Sequence, residues 1–98
     1  MWLSIGDKYG FSADVSAKTG EDGAVLLAGV KWDGVYLEHD LAGALSGYDV
    51  VQSALDHGVL PSSVYLITSN RQGRSNTGVL LEDAGYVTKD GFVFVRHG

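Results

Sequence analysis

Two groups of polar residues in this 98-residue sequence carry side chains suited to acid–base chemistry or to anion binding. The first group is Glu38, His39 and Asp40, and the second is Thr68, Ser69 and Asn70. His39 is a candidate general acid or base because its charge changes near neutral pH, and Asp40 can orient it or bind a cation. The hydroxyl and amide groups of the second set are suited to phosphate oxygens. The structural alternatives are that His39 is only hydrogen-bonded at a strand end, that Asp40 is a cap or turn carboxylate, and that Ser69 and Asn70 form a serine or Asx turn.

A third polar segment adds a local positive charge, since Arg71 and Arg74 are two of the three arginines in the chain. We place Gly73 and Arg74 just before a helix that begins near Ser75 or Asn76, where free N–H groups and the helix dipole attract anions. Arg74 would add a bidentate fork, unless it is solvated and the helix is simply capped. The predicted phosphate-binding set is Thr68, Ser69, Asn70, Gly73, Arg74 and Asn76.

Composition limits the partners that this chain can have. Twelve acidic against seven basic residues give a net charge of −5, which disfavours binding along a nucleic-acid backbone but permits one small anion. No apolar run approaches the ~20 residues of a membrane span, and the first residues do not form a signal peptide. Cysteine is absent, as is common in a reducing compartment. We therefore expect a single cytoplasmic domain over residues 1–98, without membrane contact.

The apolar pattern predicts the element order β-β-α-β-α-β-α-β-β. Short apolar runs at Val35–Leu37 and Val64–Ile67 are typical of adjacent parallel strands in a sheet centre, and each leads into one polar group. The strands over Trp2–Ile5 and Phe11–Ala17 are separated by only five residues, which predicts an antiparallel pair if they are neighbours. Asp90-Gly91 predicts a hairpin turn between the last two strands.

Capping signals predict the first two helices. Thr19 with Asp22, and Ser46 with Asp49, resemble capping boxes. Glycine follows each helical pattern as a stop signal, at Gly29, Gly58 and Gly85. Together these elements predict a small three-layer receiver-like or flavodoxin-like α/β sandwich that lacks a helix between its first two strands. Its sheet is mainly parallel with an antiparallel edge hairpin. In such sheets ligands bind beyond the carboxyl ends of the strands, where both polar groups fall.

The order of several short motifs resembles the family of cyclic-phosphate-processing receiver domains. These motifs are Leu37-Glu38-His39-Asp40-Leu41, Gly47-Tyr48-Asp49-Val50-Val51, Ile67-Thr68-Ser69-Asn70, Gly73-Arg74-Ser75-Asn76 and Gly85-Tyr86, with Trp32-Asp33 before the third strand. The resemblance covers residues 2–86. It implies a receiver-like fold that acts on cyclic phosphate ends of RNA or nucleotides, with Glu38, His39 and Asp40 as the catalytic groups.

Three departures from that family pattern weaken the catalytic interpretation. The family carries an aspartate pair after its first strand, where this chain reads Ser4-Ile5-Gly6-Asp7. Glu38 replaces an aspartate, and Ile67 stands where the family places a histidine. Without the acid pair we expect no metal site and no cofactor.

Two functions follow from these observations. The first is binding of a small phosphate-bearing ligand or an RNA end, with or without phosphoesterase activity. The alternative is a degenerate, non-enzymatic receiver that binds another protein or a second copy of itself, as a stand-alone accessory or phage protein.

Overall fold

Strand pairing in the computed structural model, which describes residues 1–6 and 12–97, gives one six-stranded sheet. In sequence order the strands are β1 Trp2–Ile5, β2 Val15–Ala17, β3 Gly34–Leu37, β4 Ser63–Leu66, β5 Val87–Thr88 and β6 Val93–Val95. Their spatial order is β2-β1-β3-β4-β6-β5. The first four are parallel, and β6 is antiparallel to both of its neighbours. The predicted central pair is confirmed, since Val35 lies opposite Val64 in parallel register.

The predicted antiparallel pairing of β1 with β2 is wrong, because these neighbours are parallel, with Leu3 opposite Val15. The reason is the strand boundary: β2 begins at Val15, so residues 6–14 connect the two strands instead of the five residues expected. Residues 7–11 lie outside the described residues. They include Asp7, Phe11 and all of the predicted Gly6–Gly10 loop except Gly6.

Each described helix begins after a residue whose side chain caps it. The helices are α1 Gly20–Gly29, α2 Gly47–Asp56 and α3 Arg71–Asp83. Thr19 Oγ1 accepts the N–H of Asp22, and Ser46 with Asp49 forms a complete capping box, as predicted. The predicted start of α3 near Ser75 or Asn76 is wrong. Asn70 is its N-cap and accepts the N–H of Gly73 at 2.9 Å, so α3 starts at Arg71.

All three described helices pack on the same face of the sheet. Gly23 of α1 lies against the Ile5 side chain, and Gly78 of α3 lies against the Phe94 ring. Ile5 and Phe94 belong to rows of buried side chains on one side of the strands, and α2 contacts both other helices. In the described residues the opposite face carries a row of aromatic rings, in which Trp2 and Tyr36 have centroids 4.8 Å apart.

This arrangement is a small flavodoxin-like α/β fold with an antiparallel edge pair, as the sequence predicts, but the described helices form one layer, so the described residues build two layers instead of three. The core side chains come from all four parallel strands and all three helices, with Phe94 from β6 and Trp32, Leu60 and Tyr86 from the connections. None of the described helices combines the length and apolar character that a membrane span requires.

Hydrogen bonds of two side chains, Tyr86 and Asp90, fix the last part of the chain. The buried Tyr86 hydroxyl donates to the Pro61 carbonyl oxygen at 2.6 Å, which ties the end of α3 to the start of β4. In the β5–β6 turn, the Asp90 carboxylate accepts the N–H groups of Val93 and Phe92 at 3.0 and 2.9 Å. These bonds hold the pKa of Asp90 below its ordinary value of 3.8, and Gly91 supplies the positive φ of 78° that the predicted turn requires.

Candidate functional site

The carboxyl ends of β3 and β4 lie side by side and bring the two polar groups together. Backbone bonds continue the ladder one residue beyond each strand, from Glu38 N to the Ile5 carbonyl (3.1 Å) and from Ile67 N to the Leu37 carbonyl (2.9 Å). The Asn70 amide then donates to both carboxylate oxygens of Asp40, at 3.3 and 3.4 Å. The groups that the sequence places after separate strands therefore form one cluster at this edge.

Glu38 is a buried residue of this cluster, with only 3% of its surface exposed. Two glycines make room for it. A Cβ on Gly6, which has a φ of 125°, would lie 2.1 Å from Glu38 Oε2, and one on Gly47 would lie 2.3 Å from the Glu38 carbonyl oxygen. Glu38 therefore sits beneath the surface, whereas His39 is partly exposed and Asp40 is exposed.

His39 is held between the starts of α2 and α3. Its backbone carbonyl accepts the N–H of Gly47 at 2.8 Å, and its ring lies against Gly73, where a Cβ would be 2.3 Å from Cγ. The Nδ1 atom is buried and has no hydrogen-bond partner among the described residues. Backbone and ring are thus both fixed by contacts to helix N-termini.

Asn70 and Thr68 act as structural groups, as the turn interpretation allows. Thr68 Oγ1 accepts the N–H of Asn70 at 3.0 Å, and the Asn70 side-chain oxygen caps α3 through Gly73. Because its amide nitrogen faces Asp40, both ends of the Asn70 side chain are already in use. Ser69 is exposed and keeps its hydroxyl at the edge.

The free N–H groups predicted at Gly73 and Arg74 are not present, because both residues lie inside α3. The Gly73 N–H is bonded to the Asn70 side chain, and the Arg74 N–H donates to the Asn70 carbonyl at 2.9 Å. The Arg74 guanidinium donates to the Thr68 carbonyl at 3.4 Å and lies 4.2 Å from the centre of the Phe92 ring. Arg71, in the first turn of α3, is the exposed arginine of this segment.

A groove of about 480 Å³ opens beside the cluster, between the start of α2 and the middle turns of α3. It is lined by His39, Ser46, Tyr48, Asn76 and Val79. Asn76 and Arg74 are two positions apart on α3, about 200° around the helix, so Asn76 faces this groove while Arg74 lies over Phe92. The predicted phosphate-binding residues are therefore divided between two sides of α3.

Three groove residues, Ser46, Tyr48 and Val79, were not in the predicted site. The available signal was positional: Ser46 caps a helix that follows β3, so Ser46 and Tyr48 had to lie at the same edge as His39. Val79 gave no such signal, since an exposed valine on a helix is ordinary.

Within residues 1–6 and 12–97, no three His, Asp or Glu side chains come together in a group that could hold a metal ion. Comparison with known proteins identified no matching family model, no matching curated protein and no matching solved structure.

Proposed function

We propose that this protein binds a small phosphate-bearing ligand at the edge where β3 and β4 end. The observation that carries the proposal is the groove beside His39, which lies between the N-terminus of α2 and the middle turns of α3. Both helices direct the positive ends of their dipoles to this edge, and the first N–H groups of α3 have no acceptor within the helix. Exposed Arg71 and Ser69 stand next to those groups.

The proposed anion position differs from the one expected from sequence. Arg74 is occupied by Thr68 and the Phe92 ring, so Arg71 and the N–H groups of Arg71 and Gln72 supply the positive charge. The resemblance to cyclic-phosphate-processing receiver domains is the reason for proposing a cyclic phosphate end of RNA or a nucleotide. Hydrolysis of that phosphate is the further step proposed for His39, as general acid or base.

The test is a titration of the ¹⁵N-labelled protein with a nucleoside 2′,3′-cyclic phosphate. The amide resonances of residues 69–72 and of His39 should shift first. Arg71→Ala should weaken binding by about tenfold, at the low end for hydrogen bonds to charged groups. Lys31→Ala is the matched control, because it removes one exposed positive charge just before the amino end of β3, at the opposite end of the strands from the proposed site. Equal weakening by both variants, or no shift at residues 69–72, contradicts the proposal.

Turnover is measured in the same samples by ³¹P NMR. Conversion of the cyclic phosphate to a phosphomonoester, lost in His39→Gln, supports phosphoesterase activity. Binding without conversion supports a binding domain alone.

A protein-interaction role is the second candidate, and the β5–β6 hairpin favours it. Val87 is 62% exposed, and Phe92 and Val93 are each 37% exposed. A hollow of about 430 Å³ lies on this hairpin, between Val87, Val93 and His97. Self-association is tested by light scattering over a range of concentrations, with Val87→Lys as the disrupting variant. A monomer at every concentration removes the homodimer form of this candidate.

A further inference from the structure

We infer that the groove beside His39 holds the base of a nucleotide, so that the ligand is a nucleotide and not a bare phosphate or a sugar phosphate. This inference rests on the proposed function, because it extends the ligand from the same phosphate position. Tyr48 and Val79, which the sequence did not assign to a site, become the residues that determine specificity.

The size of the groove is the first argument. Its volume of about 480 Å³ falls in the range of about 300–1,000 Å³ that is usual for small-molecule sites. Residues 69–72, which would hold the phosphate, do not line this groove, so a phosphate alone would leave it unfilled. The ligand should therefore carry a substantial organic part next to its phosphate.

The walls of the groove indicate which organic part fits. Tyr48 provides a partly exposed aromatic ring, and Val79, with 57% of its surface exposed, provides an apolar side chain. Aromatic side chains bind bases by stacking on their flat faces, whatever the base. A ribose ring is puckered and carries hydroxyl groups, and an aliphatic chain is not planar, so each covers an aromatic ring less fully than a planar base does.

The polar groups of the groove include an available amide donor. The Ser46 hydroxyl is used by Asp49, to which it donates at 3.1 Å and from whose N–H it accepts at 3.3 Å. The Asn76 side-chain oxygen accepts from Gln72 at 2.9 Å, which leaves the Asn76 amide N–H groups as donors. Ring nitrogens and exocyclic oxygens of nucleobases are acceptors for such a donor.

The negative charge of the protein favours a ligand with few phosphates. The chain carries a net charge of −5, and Asp40 and Asp49 lie close to the groove. Affinity for a long nucleic acid comes mainly from repeated contacts between basic residues and phosphates, which this acidic surface disfavours. A single nucleotide, free or at the end of an RNA, fits the groove and carries few enough phosphates to bind an acidic protein.

The experiment compares four probes by calorimetry: inorganic phosphate, ribose 5-phosphate, a nucleoside 2′,3′-cyclic phosphate and the free nucleoside. We expect the cyclic nucleotide to bind about tenfold more tightly than either base-free phosphate, a modest gain for one stacked base. Tyr48→Leu, which keeps an apolar side chain without the ring, should remove that advantage. Val79→Ala should reduce it, and Val25→Ala is the control, because Val25 is an exposed helical valine on α1 that does not line the groove.

The four probes separate this inference from the proposed function. Equal affinity for all three phosphates, or an advantage that survives Tyr48→Leu, overturns the inference and leaves phosphate binding intact. Equal affinity for the nucleoside and the nucleotide, both sensitive to Tyr48→Leu, supports the base site and overturns the phosphate site. No binding of any probe overturns both.

Discussion

Gly73→Ala tests the contact that holds His39 in the site. Alanine favours an interior helical position over glycine by about 1 kcal/mol, so helix propensity alone predicts a more stable protein. In this fold the new Cβ would lie 2.3 Å from His39 Cγ, 2.4 Å from Cδ2 and 2.6 Å from Nδ1. All three atoms belong to one side of a rigid ring, so the ring or the start of α3 must move. Overpacking of this kind costs about 1–3 kcal/mol, and we expect a net loss of about 1 kcal/mol.

Gly29→Ala is the matched control, because Gly29 is also helical and no atom lies within 4 Å of its Cβ position. This variant should gain up to about 0.5–1 kcal/mol. The free energies of unfolding of the two variants should then differ by about 2 kcal/mol. With a urea dependence of about 1–2 kcal/mol per M, the midpoints should lie about 1–2 M apart.

Urea unfolding followed by far-UV circular dichroism measures this difference. The ¹⁵N resonances of the His39 ring provide a second, local measurement and should change in Gly73→Ala but not in Gly29→Ala. Equal stabilisation in both variants, with unchanged His39 resonances, would refute the contact between Gly73 and His39 and the ring position derived from it.

Four further predictions concern other contacts. Asn70→Ala removes the α3 cap and should cost about 1 kcal/mol in urea unfolding, whereas Asp40→Ala, which loses an exposed contact, should cost within about 0.5 kcal/mol; equal losses would argue against the cap. Tyr86→Phe removes a buried hydrogen bond and should cost about 1–2 kcal/mol, and an unchanged midpoint would contradict it. The pKa of Asp90 is lower in the folded than in the unfolded state, so its stabilisation is present above the unfolded-state pKa and is lost as pH falls towards the folded value. Asp90→Ala should therefore lose less stability than the unmodified protein on acidification below about pH 4. Millimolar Mg²⁺ should not raise the melting temperature, since tight binding calls for a fuller set of carboxylates, and a clear rise would reveal a site.

The sequence predicted the elements whose signals are local. Val35–Leu37 and Val64–Ile67 are apolar runs of strand length, and they form the central parallel pair. Ser46 and Asp49 lie three residues apart before an amphipathic segment, and they form the capping box of α2. In each case a few adjacent residues determine the structure, so the pattern can be read without knowing the fold.

Errors arose where neighbouring residues offered equivalent signals. Asn70, Ser75 and Asn76 are all good N-caps, and Gly73 lowers helix propensity between them, so the sequence did not identify which one starts α3. Contact with the His39 ring and the Asn70 cap favours the earlier start. That difference turned the predicted anion loop into a helix and moved Arg74 onto Phe92. No local pattern reports where a side chain lies relative to another element.

The position of β6 has a consequence for how the chain folds during synthesis. Although β6 is the last strand along the described chain, it lies between β4 and β5, and its Phe94 is only 2% exposed in the core. Until β6 leaves the ribosome, the edge of β4 has no partner, and the space next to Gly78 and Val64 is empty. An unpaired edge with apolar side chains is a site of misassociation. Nascent chains that stall before β6 should therefore be the species most dependent on chaperones.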